Sequence, residues 1–396
     1  MKIALFSDTY PPNLNGVATA TETLRNVLIS KGHQVIVVTS ANKKQKHTTY
    51  ENGIVRIPGM TLKHIYNYHL ARLYSIKTRK IIKDFKPDII HVQTEYSVCI
   101  FGRFLARKYG IPLVYTYHTL YEDYSYYITG GIKPFDAMMK KVIKFLTQVV
   151  SDNTTELTTT SFKARDILAK YNIKKYINVV PNGIDFSMFN KELIDQNKLE
   201  QLRKKYNLED KYVLIILGRI AQEKSNDIVI SSLNSFLEDH QELREKMRLL
   251  VVGDGPARED LEKLSTKLNM DDIITFTKAV PHEDVPYYYY LSNLYVSAST
   301  SETQGLTFNE AMACDVIVLA RHDKNLEECI IDDKTGFFYT DLHSFKKQLL
   351  RIYNMDNNKL KEIKKEAYEN NVTKYSLDLY YRRMMDVYNK AIKKYW

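Results

Sequence analysis

The chain has 396 residues, 44% of them hydrophobic, with 57 Lys+Arg against 47 Asp+Glu and three cysteines. That length exceeds what one core usually organises, so two domains are expected, and the apolar content can fill both cores. No apolar run reaches the roughly 18 residues of a membrane span. Cys99, Cys314 and Cys329 form no CxxC pair and have no histidine partner at zinc spacing, which predicts buried reduced thiols rather than ligands or disulfides.

In chain order, Met1–Ser7 reads at once as a buried strand rather than a signal peptide, which predicts work in the cytoplasm or on the cytoplasmic side of a membrane. Short β-rich runs then alternate with helical segments, the pattern of α/β chains with parallel sheets covered on both faces. The first half offers strands at Lys2–Ser7, Gln34–Ser40, Asp88–Val92, Leu113–Tyr117, Leu157–Thr160 and Ile177–Pro181, with helical patterns over Leu62–Lys86 and Pro134–Val150. The second half restarts at Tyr212–Leu217 and continues with Arg248–Val252, Ile273–Phe276, Leu294–Ala298, Val316–Ala320 and Gly336–Tyr339. The turn-rich PNGID at 181–185 and the charged stretch Lys191–Asp210 mark the expected linker. The expected domains are therefore 1–185 and 186–376, followed by a helix over 377–396 that packs on its own domain or crosses back to the first.

Residues 1–190 carry 26 Lys+Arg against 13 Asp+Glu, while residues 191–396 carry 31 against 34. The whole positive excess sits in the first half. A basic face there suits an anionic membrane surface or a nucleic acid, and is also what a solvated Lys-rich face gives; no RNA-binding motif accompanies it.

Three loops beyond predicted strands carry candidate chemistry. The most informative is SETQGLTFNE at 301–310, which sets Glu302 and Glu310 around Gly305 between a strand and a helix. Open α/β sheets bind ligands at such strand ends, where free amides suit anions and carboxylates accept from sugar hydroxyls. GRIAQEK at 218–224 puts Arg219 and Lys224 in one loop, and two cations at a strand end can neutralise a diphosphate leaving group. Gly253, in the GDGP loop at 253–256, serves a ligand or simply a tight turn. After the first strand, Gly16 stands at a helix entry, where a missing Cβ leaves room for a phosphate or merely makes the turn.

The ordered set PPNLNG (11–16), PNGID (181–185), GRIAQEK (218–224), GDGP (253–256) and the two glutamates with seven residues between them spans nearly the whole chain and resembles the retaining GT-B glycosyltransferases of family 4. The resemblance implies the GT-B fold, two Rossmann-like doubly wound domains with a cleft between them. HVQTE at 91–95 and TSETQGLT at 300–307 are most similar to the diacylglycerol-glucosylating members. At Cys314 and Asp315 the chain departs from the family's usual Gly and Pro, so a differently shaped loop is expected after Arg321.

Position by position, the resemblance gives Arg219 and Lys224 the donor diphosphate, Glu310 the ribose and Glu302 the donor sugar. Gly16 passes close to the phosphates, Gly253 belongs to the donor site, and the amides of Gln304, Gly305, Leu306 and Thr307 complete the cradle. His118 matches a histidine that contacts the transferred sugar, although a lone histidine at a strand end is as often structural. The implied reaction is transfer of glucose from UDP-glucose to 1,2-diacylglycerol with retention at the cytoplasmic membrane face. No cofactor and no metal are expected, since no DxD motif appears and the two cations do that work. The alternative within the same chemistry is a soluble or polyprenyl-linked sugar acceptor; a noncatalytic protein on the same fold is a third reading. Glucose and galactose, and a first or second sugar added, stay equally open.

A lipid acceptor requires docking on a bilayer. At 100° per residue, Arg72, Arg79, Lys83 and Lys86 share a stripe across Leu62–Lys86, with Leu70, Tyr74, Ile81 and Phe85 opposite. In Pro134–Val150, Lys140, Lys141 and Lys144 face away from Phe135, Met138, Val142, Leu146 and Val149. Any helix covering a sheet shows the same periodicity, so each segment is a membrane anchor or an ordinary solvated cover.

Overall fold

The computed structural model describes residues 1–13, 15–41, 45–62, 68–119 and 133–396. Two compact units emerge, Met1–Gly183 together with Leu377–Trp396, and Ile184–Ser376.

The first unit runs β1 (Lys2–Ser7), α1 (Gly16–Ser30), β2 (Gln34–Ser40), β3 (Thr49–Glu51), β4 (Ile54–Ile57), β5 (Gly59–Leu62), β6 (Tyr68–Ala71), α2 (Ile76–Phe85), β7 (Ile89–Val92), α3 (Ser97–Tyr109), β8 (Leu113–Tyr117), α4 (Lys133–Asp152), β9 (Glu156–Thr159), α5 (Phe162–Lys170) and β10 (Ile177–Val179). Its main sheet has the order β10-β9-β8-β7-β1-β2-β4-β3, parallel except for the β3–β4 pair. Strands buried on both faces explain the continuous apolar runs of β1 and β2. The order reverses direction at β1, so the loops after β1 and β7 open side by side at the strands' C-terminal ends, where such sheets bind ligands.

The helix expected over Leu62–Lys86 is a correction. Gly59–Leu62 and Tyr68–Ala71 pair as an antiparallel hairpin, and the helix begins only at Ile76; residues 63–67 lie outside the described set. The stretch before Ser75 carries strand-forming tyrosines at Tyr68 and Tyr74, and it is the Ser75 side chain that accepts from Thr78 N–H at 3.2 Å and starts the helix. Leu70 therefore sits on a strand and Arg72 in a loop, off the helical stripe.

The second unit runs α6 (Gln196–Lys205), β11 (Tyr212–Leu217), α7 (Asn226–Asp239), β12 (Met247–Val252), α8 (Arg258–Lys267), β13 (Ile274–Lys278), α9 (Val285–Tyr290), β14 (Leu294–Ser297), α10 (Leu306–Ala313), β15 (Ile317–Arg321), β16 (Phe337–Tyr339), α11 (Leu342–Tyr353) and α12 (Asn357–Tyr375). All pairs in its sheet, β13-β12-β11-β14-β15-β16, are parallel. Its direction reverses at β11, between the loops after β11 and β14. The charged stretch read as linker holds α6 instead, whose Leu199 and Leu202 pack on this unit's core. The final helix, α13 (Leu377–Tyr395), belongs to the first unit, where Tyr380, Met384, Val387 and Tyr388 are buried with Ile3, Leu5, Leu24 and Val114.

Candidate active site

The second unit gathers the candidate donor groups at its switch point. Lys224, in the loop after β11, donates to Glu302 Oε1 in the loop after β14 at 2.7 Å. The two side chains keep 27% and 12% of their surface exposed, enough to meet a ligand without losing the low-dielectric surroundings that strengthen the pair. Arg219 is paired with the Glu223 carboxylate one helical turn on in the same loop. The loops are also stitched by main chain: Ser301 Oγ donates to Glu223 O at 3.1 Å, and Asn325 Nδ2 donates to Glu302 O at 2.8 Å.

Gly305, at φ 75°, ends the β14 loop and caps α10 with no side-chain oxygen, so no capping side chain satisfies the first amides of that helix. Gln304 is buried, and Leu306 and Thr307 form the first turn. Glu310, one turn further, accepts from the Tyr289 hydroxyl at 3.0 Å, and burial raises its carboxyl pKa to about 7 against the lowering effect of that bond. Gly253 has a structural reason for its residue type: at φ 136° its backbone approaches Gly218, and a Cβ there would stand 1.9 Å from Gly218 O.

In the first unit, Gly16 is the first residue of α1 behind the Asn15 cap, whose side chain accepts from Ala18 N–H. A Cβ on Gly16 meets no protein atom within 4 Å, so the space before it is open. Asp8, buried at the end of β1, accepts from Thr94 Oγ1 (2.7 Å), Ser97 Oγ (2.8 Å) and Val98 N–H (2.8 Å). Those bonds join the β1 loop to the β7 loop, and burial outweighs them in raising the Asp8 pKa. His118, at the end of β8 and 7% exposed, lies 2.6 Å through Nε2 from Gln93 Oε1, and burial lowers its pKa to about 4. A buried imidazole that stays neutral suits hydrogen bonding to a hydroxyl rather than charge on a phosphate.

The residue set thus splits. Arg219, Lys224, Gly253, Glu302, the Gln304–Thr307 turn and Glu310 share one end of the second sheet, while Gly16 and His118 belong to strand ends of the first. Over residues 14–187 the chain matches the family described as Glycosyltransferase Family 4, and over 198–370 the one described as Glycosyl transferases group 1. An alpha-monoglucosyldiacylglycerol synthase from Streptococcus pneumoniae is 34% identical over 388 residues, 96% of this chain and 86% of its own length. The chain belongs to glycosyltransferase family 4. A protein of the same description from Acholeplasma laidlawii is 29% identical over the full length of both chains. Among solved structures, sucrose-phosphate synthase from Thermosynechococcus elongatus superposes with a TM-score of 0.76 at 18% identity over 98% of each chain. HepE from Anabaena in complex with UDP-glucose gives 0.75 at 15% identity, covering 98% of this chain and 99% of its own. At those identities the superpositions speak for the fold, which is GT-B.

The protein is therefore an enzyme, a glycosyltransferase. Several of its site residues escaped the sequence reading. Glu223 carried a usable signal, since it stands four residues after Arg219 in a loop already singled out. Gln93 stood inside the HVQTE motif at 91–95, whereas Asn325 and Tyr289 carried no signal, because each reaches the site from a loop or helix remote in sequence. Among the described residues, no group of three or more His, Cys, Asp or Glu is placed to hold a metal ion, and the three cysteines are buried and unpaired.

The two basic segments of this glycosyltransferase differ. On α2, Ile82 is buried and Ile81 and Phe85 pack on the core, while Lys83 and Lys86 are exposed and Arg79 donates to Tyr74 Oη at 2.8 Å: an ordinary cover of a sheet. On α4 the sense is reversed. Met138, Val142, Phe145, Leu146 and Val149 are exposed, Phe145 by 63%, whereas Thr147 and Ser151 are buried. Lys140 is tied to Asp136 at 3.0 Å, Lys144 lies 5.8 Å from the centre of the Tyr171 ring, and Lys141 is exposed beside the apolar face. The Phe135 side chain lies outside the described residues. No described helix is long and apolar enough to cross a membrane.

Proposed function

We propose that this enzyme transfers glucose from UDP-glucose to 1,2-diacylglycerol with retention, while held peripherally on the cytoplasmic face of a membrane. The observation that carries the reading is the Lys224–Glu302 pair at the second sheet's switch point, in a chain 34% identical to an alpha-monoglucosyldiacylglycerol synthase. In this reading the donor diphosphate replaces Glu302 and Glu223 as partner of Lys224 and Arg219. Glu302 is then released to accept from sugar hydroxyls, and Glu310 from the ribose. The α10 amides meet the remaining phosphate charge, Gly16 leaves space for it, and His118 bonds the transferred sugar.

As the glycosidic bond breaks, charge grows on the leaving diphosphate, and two cations already aimed at it stabilise that change without reorganising. The acceptor hydroxyl attacks from the face the nucleotide leaves and passes its proton to a leaving phosphate oxygen, so retention needs no protein base and no covalent intermediate. The outward apolar face of α4 supports docking. Exposed Tyr96, Ile100 and Phe104 form a second stripe on α3, and the Tyr74 ring packs edge-on against Phe104. Apolar side chains enter the headgroup region while neighbouring lysines meet anionic lipid.

The test incubates the enzyme with radiolabelled UDP-glucose and mixed liposomes containing diacylglycerol, with and without excess EDTA, and analyses the product's anomeric configuration. Label in the lipid phase as the α-anomer, undiminished by chelator, is expected. Label entering only water-soluble or polyprenyl-linked sugars would replace the acceptor; loss with EDTA and rescue by magnesium or manganese would replace the electrostatic account.

A further inference from the structure

Beneath His118 lies a buried polar chain that the transfer chemistry as drawn does not use. His91 on β7 bonds Tyr388 Oη of α13 through Nδ1 at 2.8 Å and Thr116 Oγ1 of β8 through Nε2 at 2.7 Å. Thr116 in turn lies 2.5 Å from Thr158 Oγ1 on β9. Gln93 sits between the two imidazoles, its Nε2 at 3.2 and 3.1 Å from the His91 nitrogens and its Oε1 at 2.6 Å from His118 Nε2.

Those distances orient the amide. Both His91 nitrogens already have partners in the ring plane, so a third atom nearly equidistant from them must approach the ring's face. An N–H is attracted to that π-face and a carbonyl oxygen is repelled, which turns Oε1 toward His118. A neutral imidazole has one donor and one acceptor nitrogen. With a carbonyl acceptor against Nε2, His118 keeps its proton there and presents a lone pair at Nδ1.

We propose that Gln93 is a positioning residue for the transfer reaction, fixing His118 as the Nε2–H tautomer so that Nδ1 accepts a hydrogen bond from a hydroxyl of the transferred hexose. The inference rests on the reading of His118 as a sugar contact, and adds which atom makes the contact and what sets it. The titratable groups in this chain, His91 from β7 and Tyr388 from α13, are neutral: burial lowers His91 to about 3 and raises Tyr388. No charge competes with Gln93 in choosing the tautomer. Gln93 is 2% exposed and His91 fully buried, so of the three His118 is the most exposed, at 7%.

The test is nitrogen NMR of the full-length enzyme labelled with 15N-histidine, comparing the parent with Gln93→Leu and Gln93→Glu, each checked for a cooperative thermal transition. The parent's His118 is expected as the Nε2–H tautomer, a measurement that needs no variant beyond one for assignment. Gln93→Leu removes the acceptor and should give a mixture or the Nδ1–H form, with kcat down roughly tenfold, the worth of one misplaced hydrogen bond, and donor KM within about twofold. Gln93→Glu keeps an acceptor but adds a charge, so the Nε2 proton should remain and a new ionisation should enter the kcat–pH profile from the acid side. An Nδ1–H parent, or a Gln93→Leu enzyme with the parent's tautomer and kcat, overturns the proposal. If His118→Ala leaves kcat unchanged, the sugar-contact reading falls instead, whatever the tautomer measured.

Discussion

The two doubly wound units share an architecture and use their switch points in opposite ways. In the second unit the reversal at β11 gathers charge: Lys224 on Glu302, Arg219 on Glu223, all on loops that keep some contact with solvent. In the first unit the reversal at β1 gathers polar groups under near-complete burial: Asp8 held by Thr94, Ser97 and Val98, and the neutral His91, Gln93 and His118 in sequence. A charged rim can respond to a ligand's charge by exchanging partners. A buried neutral network cannot exchange anything cheaply, so it holds direction instead. The division suits a transfer reaction in which one partner leaves as an anion and the other is an uncharged hydroxyl.

The largest effect tests the charged side of that comparison. Arg219→Ala and Lys224→Ala should each lower turnover about a hundredfold or more, the usual loss when a transition-state charge stabiliser is removed. Circular dichroism and thermal midpoint should change little, because both side chains are partly exposed and neither fills the core. A folded double variant with parental kinetics would move the diphosphate elsewhere.

The next effect separates α4 from α2. Replacing Phe145 and Leu146 by Ser removes apolar surface that the fold already leaves outside, so stability should hold while binding to anionic vesicles falls about tenfold or more. Lys141→Gln should cost less, about fivefold at low salt and less at physiological salt, where the Debye length is about 8 Å. Lys83→Gln on α2 should leave vesicle sedimentation within twofold if that helix is only a cover. Equal losses from the α2 and α4 variants would return the docking role to net charge alone.

Much of this arrangement was legible in the sequence because parallel strands buried on both faces leave continuous apolar runs, and because glycine loops follow them at intervals a βα unit dictates. The strands over Lys2–Ser7, Gln34–Ser40, Leu113–Tyr117 and Tyr212–Leu217 stand where their runs place them. Failure came where periodicity was ambiguous. The paired strands Gly59–Leu62 and Tyr68–Ala71 have spacing close enough to a helical stripe to be misread, and the charged stretch Lys191–Asp210 holds the solvent face of the helix Gln196–Lys205 rather than a linker. For α4 the spacing gave the two faces but not which one looks outward, since a wheel is symmetric to that choice. The His91–Tyr388 bond spans 297 residues and leaves no local trace.

Glu310 offers a smaller effect with a defined sign. Its raised carboxyl ionises around pH 7, and the ionised form is the better acceptor for ribose hydroxyls. Donor KM should therefore rise as pH falls, by about fivefold between pH 7 and 6 for a group of that pKa. Glu310→Gln should bind donor more weakly at pH 8 and show a flat profile. A parental slope retained in that variant would assign the titration to another group.

The smallest effect contrasts the two networks through stability rather than turnover. His91 is held neutral in the folded chain, its pKa lowered to about 3 from the ordinary 6.5, so below pH 6.5 the unfolded chain takes up a proton that the folded chain refuses. The stabilisation is present above the unfolded value and is lost as pH falls, by somewhat under 1 kcal/mol between pH 7 and 6 for one such group. Glu310 works in the opposite direction, because its raised pKa lets the folded chain bind a proton between about 4.5 and 7, and acidification favours its unit over that window. Asp8, also raised by burial, acts in the same sense as Glu310 but within the first unit, which is why the comparison needs a variant. His91→Gln retains a donor and an acceptor for Tyr388 and Thr116 but cannot take a proton. It should be less stable than the parent at pH 8 through imperfect bonds, yet lose less on going from pH 7 to 6. Hydrogen exchange, corrected for its intrinsic pH dependence, resolves the two units: protection of β7 and β8 should fall with acid in the parent and fall less in His91→Gln, while β11 and β14 respond alike in both. Identical acid slopes for β7 and β8 in parent and variant would mean that His91 is already protonated in the folded enzyme, and that the first unit's network is not the neutral counterpart of the second unit's charged rim.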